Sequence, residues 1–189
     1  MSGEAKPNSP SDGDLIRRAQ SGDREAFGEL YRRYVAPIFG YIRLRVGSEH
    51  DAEDLTEMVF VKSLEALGRY EDRGAPFGAF LYKVARHLVV DSYRSKPAAL
   101  PLELAEAHPQ DDPGAEAGLV ERERSLAAMS ALDGLSEAYQ EVIRLRILLG
   151  LPTDTVAKWM GRSPAAVRVL LHRALKALRL AVDESDGDA

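Results

Sequence analysis

Apolar residues recur at intervals of three and four along most of the chain, whereas runs in which apolar and polar residues alternate are scarce. The first spacing places apolar side chains on one face of a helix, and strict alternation would be expected of a strand. The pattern therefore predicts an all-α protein.

Three helices are predicted in the first half of the chain. The first can be capped by Asp23, and Pro37 should interrupt and kink it. The second runs from about Asp51 to Leu67, and Pro76 suits the first turn of the third. The stripes expected to be buried are Phe27, Leu30, Tyr31, Tyr34, Val35, Ile38, Phe39 and Ile42 in the first helix, Ala52, Leu55, Val59, Phe60 and Leu64 in the second, and Phe77, Phe80, Leu81, Val84, Leu88 and Val89 in the third.

A stretch without a sustained period separates these helices from the rest. Residues 97–118 contain four Pro and five acidic residues but no Lys or Arg, which is typical of an extended, self-repelling linker. The first 15 residues lack the apolar core of a secretory signal, and we interpret them as a flexible cytoplasmic tail. The predicted division is a disordered tail at 1–13, a helical domain at 14–96, a flexible linker at 97–118, a second small helical domain at 119–182 and an acidic tail at 183–189.

Four helices are predicted after the linker, at about 119–131, 136–149, 153–160 and 163–182. The last two have the layout of a helix-turn-helix, with a short helix, a turn and a longer helix. Thr153 and Ser163 are good N-cap residues, Pro164 suits the position after Ser163, and Gly161 gives the tight turn a permissive backbone. The buried side expected of the longer helix consists of Val167, Leu170, Leu171, Ala174, Leu178 and Val182.

Charge is distributed unevenly among these segments. The whole chain has a net charge of −5, but residues 119–182 carry ten basic and six acidic residues. Between 162 and 182 there is no acid, and the five cations are Arg162, Arg168, Arg173, Lys176 and Arg179. A cationic helix face is often merely solvated. Because this one belongs to a helix-turn-helix pattern, we expect it to pair with DNA phosphates and its first turn to enter a major groove.

The second and third helices carry further candidate binding groups. Acids at 51–54 open the second helix, where the helix dipole favours them, and beside its apolar stripe they would also suit a basic partner helix. The residues alone leave both interpretations open. In the third helix, rings and cations are interleaved, which suits single-stranded nucleic acid because rings stack on bases while cations hold the backbone. The residues that cannot all face the core are Tyr82, Lys83, Arg86 and Tyr93.

Several classes of function find no support in the residues. The chain has no Cys, which excludes disulfides, thiolate metal sites and a Cys nucleophile. The four histidines, at 50, 87, 108 and 172, form no HxxxH or HExxH pair, so no metal is expected. No catalytic set of nucleophile, base and orienting group can be assembled, so we expect neither an enzyme nor a cofactor. The apolar runs are far shorter than the ~20 residues that cross a bilayer, so no membrane insertion is expected.

Three segments, in this order, resemble the extracytoplasmic-function (group 4) sigma factors of the bacterial sigma-70 family, over roughly residues 14–182. DAEDLTEMVFVKSLEAL at 51–67 is similar to region 2.2, which binds the clamp helices of the RNA polymerase β′ subunit. PFGAFLYKVARHLVVDSYR at 76–94 resembles regions 2.3 and 2.4, which melt and read the −10 element. The segment at 135–179, with the helix-turn-helix, resembles region 4, which reads the −35 element.

The resemblance implies core RNA polymerase (β′ clamp helices and β flap), promoter DNA and an anti-sigma factor as partners. The polymerase-binding residues would be Asp51, Asp54, Leu55, Glu57 and Phe60. The −10 contacts would come from Arg73, Phe77, Lys83, Arg86, His87, Asp91 and Arg94, and the 68–77 segment would hold a flipped non-template base. The −35 contacts would come from Arg162, Ser163, Ala165, Ala166, Arg168, Val169, His172, Arg173 and Lys176.

The expected function is that of an alternative sigma factor, which binds core polymerase, recognises both promoter elements and promotes DNA melting without covalent chemistry of its own. The alternative hypothesis is a stand-alone helix-turn-helix regulator with a helical N-terminal domain. A regulator of that kind should bind its operator unaided and usually as a dimer, whereas a sigma factor should need core polymerase to bind tightly.

Overall fold

Every regular element in the computed structural model is a helix, over the residues that the structure describes, which are 10–71, 76–95 and 128–187. The predicted all-α class is therefore confirmed. The chain divides into two compact units, Met1–Leu102 and Glu103–Ala189. Their boundary falls within the predicted linker at 97–118, which itself lies outside the described residues.

The described part of the first unit contains four helices. They are α1 (Asp12–Gln20), α2 (Arg24–Arg43), α3 (Glu49–Leu67) and α4 (Phe77–Ser95). Helix α2 packs against the other three, and α3 also packs against α4. The core between them is formed by fully buried apolar side chains, among them Leu30, Tyr41, Val59 and Leu81.

Helix α1 corrects the interpretation of the N terminus. Ser11 caps this helix by accepting a hydrogen bond from the backbone N–H of Asp14 at 3.2 Å, and Leu15 and Ile16 are buried. The interpretation of residues 12–15 as a tail is therefore wrong, because the cap and the packing of Leu15 and Ile16 against the rest of the unit hold these residues in a helix.

Asp12 ties α1 to α2. Its carboxylate accepts hydrogen bonds from the guanidinium of Arg33, at 3.0 Å, and from the hydroxyl of Tyr34. Two effects raise the pKa of the Tyr34 phenol well above its usual range. The larger effect is burial, and the next is the hydrogen bond to the Asp12 carboxylate.

Helix α2 begins as predicted and passes Pro37 without a break. Asp23 caps it by accepting hydrogen bonds from the backbone N–H groups of Glu25 and Ala26, at 3.0 and 3.2 Å. Pro37 lies inside the helix, which runs on to Arg43, so the predicted interruption is wrong.

The second unit contains the helical residues 128–133 (α5), α6 (Glu137–Ile143), a π-helical turn (Arg144–Leu148), α7 (Thr153–Met160) and α8 (Pro164–Gly187). Helix α8 packs against α6 and α7. The helix predicted at 119–131 is described only from residue 128.

The π-helical turn divides the single helix that was predicted at 136–149. The backbone N–H of Leu149 donates to the carbonyl of Arg144, five residues earlier, at 2.9 Å. The extra residue in this turn changes which side chains face outward, and Ile147 and Leu148 are 51% and 43% exposed.

Candidate nucleic-acid and partner interfaces

The first candidate interface is the outer surface of α3. Ser48 caps this helix by accepting a hydrogen bond from the N–H of Asp51, at 3.4 Å. One side of α3, which includes Ala52, Val59 and Leu67, is buried in the unit. The opposite side carries three exposed apolar residues three positions apart, namely Met58 (44% exposed), Val61 (55%) and Leu64 (53%).

These three apolar residues were not predicted as a site, and the expected burial of Leu64 is wrong. The spacing of three moves each successive residue only about 60° around the helix, so all three stay on the solvent side. We call Met58, Val61 and Leu64 the α3 apolar stripe. Apolar side chains that cluster on a surface are typical of a protein interface.

The predicted polymerase-binding residues lie in and beneath the same surface. Asp54 and Glu57 are exposed, and Asp51 and Leu55 are half-buried. Phe60 is only 5% exposed, and its ring packs edge-on against Tyr31 with 4.7 Å between the ring centroids. Phe60 therefore lies beneath this surface and packs against Tyr31. Tyr31 is 41% exposed, so its predicted burial in the core is wrong.

The second candidate interface is a face of α4. Lys83, Arg86 and His87 are exposed, and Asp91 follows on the same face one turn later. The His87 Nε2 atom lies 3.3 Å from the Asp91 carboxylate. Tyr93 is 58% exposed, whereas Tyr82 is buried against Tyr41, with ring centroids 5.0 Å apart. Of the predicted −10 residues, the side chain of Arg94 and all of Arg73 lie outside the described residues.

A shallow pocket of about 340 Å³ lies where the end of α3 meets the start of α4. Its lining residues are Ala66, Arg69, Tyr70, Glu71 and Phe80. The Tyr70 ring lies 5.3 Å from that of Phe80 and 5.7 Å from that of Phe77, centroid to centroid. Phe77 is 1% exposed, so it backs the pocket rather than lining it. We call this site the aromatic pocket. Sequence reasoning expected Phe80 in the core and did not single out Tyr70.

The third candidate interface is the helix-turn-helix formed by α7 and α8. Gly161 ends α7 with a φ of 64°, in the left-handed region that glycine adopts readily. The N–H of Arg162 donates to the carbonyl of Ala157 at 2.8 Å and closes the turn. Ser163 caps α8 as predicted, by accepting a hydrogen bond from the N–H of Ala166 at 3.1 Å.

The start of α7 differs from the prediction. Helix α7 begins at Thr153 itself, Pro152 holds the capping position, and no side-chain capping bond forms there. The prediction of Thr153 as an N-cap is therefore wrong. Val156 and Trp159 of α7 are buried, as are Val167 and Ala174 of α8.

The outer surface of α8 carries the predicted −35 residues. Arg162 and Ser163 lie in the turn directly before α8, and the other seven lie on the helix itself. Ala166 is half-buried and the other eight are exposed, namely Arg162, Ser163, Ala165, Arg168, Val169, His172, Arg173 and Lys176. The cations of this surface, with Arg179, form no ion pair within the described residues. By contrast, Arg32 and Arg33 of α2 each pair with two acids. The charge of α8 is therefore available to an anionic partner.

Beside this surface lies a second shallow pocket, of about 390 Å³. Tyr139 of α6 forms one wall, and the other lining residues are Arg162, Ala165, Ala166, Val169, Leu170 and Arg173. Sequence reasoning missed Tyr139, since it lies on a different helix, more than 20 positions earlier in the chain.

Within the described part of the chain, no group of three or more His, Asp or Glu side chains is placed to hold a metal ion. Across the same residues, none of the helices has the length and apolarity needed to span a bilayer.

Comparison with known proteins identifies the family. The model of Sigma-70 region 2 matches residues 30–97, and the model of Sigma-70, region 4 matches residues 125–178. ECF RNA polymerase sigma factor BldN of Streptomyces coelicolor is 35% identical, over 91% of this chain and 66% of BldN. ECF RNA polymerase sigma factor SigD of Mycobacterium tuberculosis is 33% identical, over 87% of this chain and 81% of SigD.

A solved structure agrees with these relatives. The structure of CnrH in complex with the cytosolic domain of CnrY superposes on this chain with a TM-score of 0.64 at 27% sequence identity. The match covers 93% of this chain and 99% of the matched chain in that structure. The fold and its surfaces thus define a helical, helix-turn-helix DNA-binding protein of two units. The chain belongs to the extracytoplasmic-function sigma factors of the sigma-70 family and is an alternative sigma factor of RNA polymerase.

This result confirms the resemblance and the function expected from it. The stand-alone regulator is not favoured, because the family match covers the first unit as well as the helix-turn-helix. Sigma-70 family members are transcription initiation factors without catalytic activity of their own.

Proposed function

We propose that this sigma factor docks on core polymerase through the outer surface of α3, contacts the −10 element through α4 and the aromatic pocket, and contacts the −35 element through α8. The observation that carries the proposal is the α3 apolar stripe together with the exposed acids Asp54 and Glu57 beside it. In a symmetric dimer through this surface the like charges would repel each other, whereas a basic partner would attract them. The chain supplies binding free energy only, and the polymerase performs the chemistry.

The chemistry of the α3 surface matches a partner with an apolar centre and basic surroundings. Met58 and Val61 lie among the acids Asp51, Asp54 and Glu57. Apolar groups at the centre of an interface supply most of the affinity, and charges at its rim set orientation and association rate. The β′ clamp helices are the proposed partner, with Leu55 at the edge of the contact and Phe60 holding Tyr31 from beneath.

The α4 face and the aromatic pocket suit a strand that has just separated. Lys83 and Arg86 are placed to hold phosphates along the helix, with His87 and Asp91 beside them. Removing a base from the stack costs a few kcal/mol, whereas stacking a base on a protein ring recovers about 1–3 kcal/mol. The rings of Tyr70 and Phe80 therefore provide free energy of the size needed to hold one unpaired non-template base.

The α8 surface suits duplex DNA. Arg168, Arg173 and Lys176 project from the outer side of the helix that follows the turn, where a recognition helix meets the major groove. The exposed side chain of Val169 and the methyl group of Ala165 suit the apolar edge of thymine, and the arginines suit guanine edges or phosphates. Ser163, Ala166 and His172 complete this contact surface.

An anti-sigma factor is proposed as an inhibitor. CnrH was solved in complex with the cytosolic domain of CnrY. An inhibitor of this chain would need to cover the α3 apolar stripe or the unpaired cations of α8 to prevent polymerase or promoter binding. Because RNA polymerase acts on DNA in the cytoplasm, the proposed place of action is the cytoplasm.

Reconstituted transcription tests the proposal. Core polymerase with the full chain should start transcripts at a cognate promoter, and core polymerase alone should not. Val61→Gln should lower initiation by weakening polymerase binding, whereas Lys83→Ala should lower it on duplex promoters with polymerase binding unchanged. Initiation that is independent of the chain, or equal for all three proteins, would contradict the proposed assignment of surfaces.

A further inference from the structure

The side chain of Gln20, the last residue of α1, reaches across to the turn that follows α3. Its amide nitrogen donates one hydrogen bond to the carbonyl of Leu67, at 3.0 Å, and a second to the carbonyl of Tyr70, at 2.8 Å. An amide nitrogen has two N–H donors, so both are used on this one turn. The two bonds link residues that are 47 and 50 positions apart in the chain.

That turn carries one wall of the aromatic pocket. After α3 ends, the N–H of Arg69 donates to the carbonyl of Ala66 and the N–H of Tyr70 donates to the carbonyl of Leu67, each at 3.0 Å. Arg69 and Tyr70 both line the pocket, opposite Phe80 of α4. The last carbonyls of a helix have no partner within the helix, so a side chain that satisfies them fixes the course of the chain beyond it.

We propose that Gln20 is a positioning residue for the aromatic pocket, which holds the backbone of Leu67 and Tyr70 so that the Tyr70 ring is already in place when an unpaired base enters. This inference rests on the proposed function of the pocket in base capture. A ring that must be ordered during binding costs conformational entropy, and a ring held in advance avoids that cost. Helix α1 thereby contributes to promoter opening without contacting DNA.

The exposure of Gln20 separates this role from a role in folding. Gln20 is exposed, and its bond to Tyr70 lies at the surface. Its bond to Leu67 is partly buried, but the Leu67 carbonyl also accepts from the N–H of Tyr70 and would keep that partner. The loss of exposed hydrogen bonds changes the free energy of unfolding little. The same loss gives the turn after α3 more local freedom. Substitution should therefore leave the melting temperature nearly unchanged and still weaken base capture.

The test compares polymerase holoenzymes that contain the full-length chain or its variants. Gln20→Glu keeps the size of the side chain and removes both donors, and Gln20→Met removes them without adding charge. Arg17→Ala is the matched control on α1, because Arg17 pairs only locally with Asp14 and is 71% exposed. The DNA is a fork with a single-stranded non-template −10 strand, in which an abasic nucleotide is placed at each position in turn.

The measured quantity is the ratio of affinities for the intact fork and the abasic fork at each position. In the wild type, affinity should fall clearly when the base is missing at one position of the fork, and Tyr70→Ala should abolish this difference. Both Gln20 variants should lower this ratio by about 5-fold, which corresponds to about 1 kcal/mol, at that position alone. Arg17→Ala should leave the ratio unchanged. The ratio cancels the long-range effect of the charge that Gln20→Glu adds. Gln20→Met adds no charge and therefore controls for local repulsion between a carboxylate and the carbonyls of Leu67 and Tyr70.

Three results would overturn the inference, and they are distinct from one another. If the wild type depends on a base at one position and both Gln20 variants keep that dependence in full, Gln20 does not position the pocket, while base capture stands. If no position shows a base dependence in the wild type, or Tyr70→Ala leaves it intact, the proposed function of the pocket fails and the inference fails with it. A lower melting temperature with equal losses on intact and abasic forks would also overturn the inference, since Gln20 would then serve the fold alone.

Discussion

Replacing the α3 apolar stripe by glutamine should uncouple the chain from core polymerase while leaving its fold intact. Met58, Val61 and Leu64 expose 44%, 55% and 53% of their surface in the free chain. Complete burial of such a side chain contributes about 1.5–3 kcal/mol, so covering the exposed half contributes about 1 kcal/mol for each residue. Together the three contribute about 3 kcal/mol, which corresponds to roughly a 100-fold change in Kd.

The assay is equilibrium binding of labelled sigma chain to core polymerase in the absence of DNA. Glutamine is a good helix former, and exposed substitutions change stability by within about 0.5 kcal/mol, so helical content and melting temperature should be retained. The matched control is Val169→Gln. Val169 is 51% exposed but lies on α8, so this variant should keep polymerase affinity and lose promoter affinity.

A triple variant that remained folded and bound core polymerase within about 3-fold of the wild type would contradict docking through the α3 apolar stripe. An equal loss for Val169→Gln would also refute it, because that result would make the effect general to exposed apolar residues rather than specific to α3.

Three further predictions follow from single groups. Asp54→Arg reverses an exposed charge beside the stripe and should abolish polymerase binding while circular dichroism stays unchanged; normal co-purification with polymerase would remove Asp54 from the interface. Arg168→Ala should lower promoter affinity by about 1–3 kcal/mol, measured by fluorescence anisotropy of the holoenzyme, and an equal loss on all sequences would show that Arg168 contacts only phosphate. The hydrogen bond from Arg18 and those from the first N–H groups of α2 hold the pKa of Asp23 below its ordinary value of 3.8. A carboxylate with a lowered folded pKa stabilises the fold above its unfolded pKa and loses that effect as the pH falls through the folded value. The wild type should therefore melt higher than Asp23→Asn near neutral pH, and the difference should vanish on acidification below 3.8; a difference independent of pH would contradict this assignment.

Local signals in the sequence predicted most of the fold. The caps at Asp23 and Ser163 and the glycine turn at Gly161 depend on a few neighbouring residues, and the structure confirms all three. Helix α1 was missed because only Leu15 and Ile16 of its nine residues are buried, too few to produce a recognisable period. The π-helical turn at 144–148 was missed because it changes the hydrogen-bonding register without changing the residue types.

The surfaces were harder to predict than the elements. Helix α3 has apolar residues on both sides, and spacing alone does not say which side packs inward, so Leu64 was assigned to the core and Met58 and Val61 were overlooked. The aromatic pocket and its support depend on contacts between residues that are far apart in the chain, such as Gln20 and Tyr70. Contacts of this kind are set by helix packing, which local pattern does not reveal.

The most direct test of the central claim is the affinity of the full chain for promoter DNA with and without core polymerase, measured at one salt concentration. The account predicts tight, sequence-specific binding only when core polymerase is present, because the α3 surface must dock before both promoter elements are engaged. Tight and specific binding by the chain alone as a symmetric dimer, unchanged by added core polymerase, would contradict it.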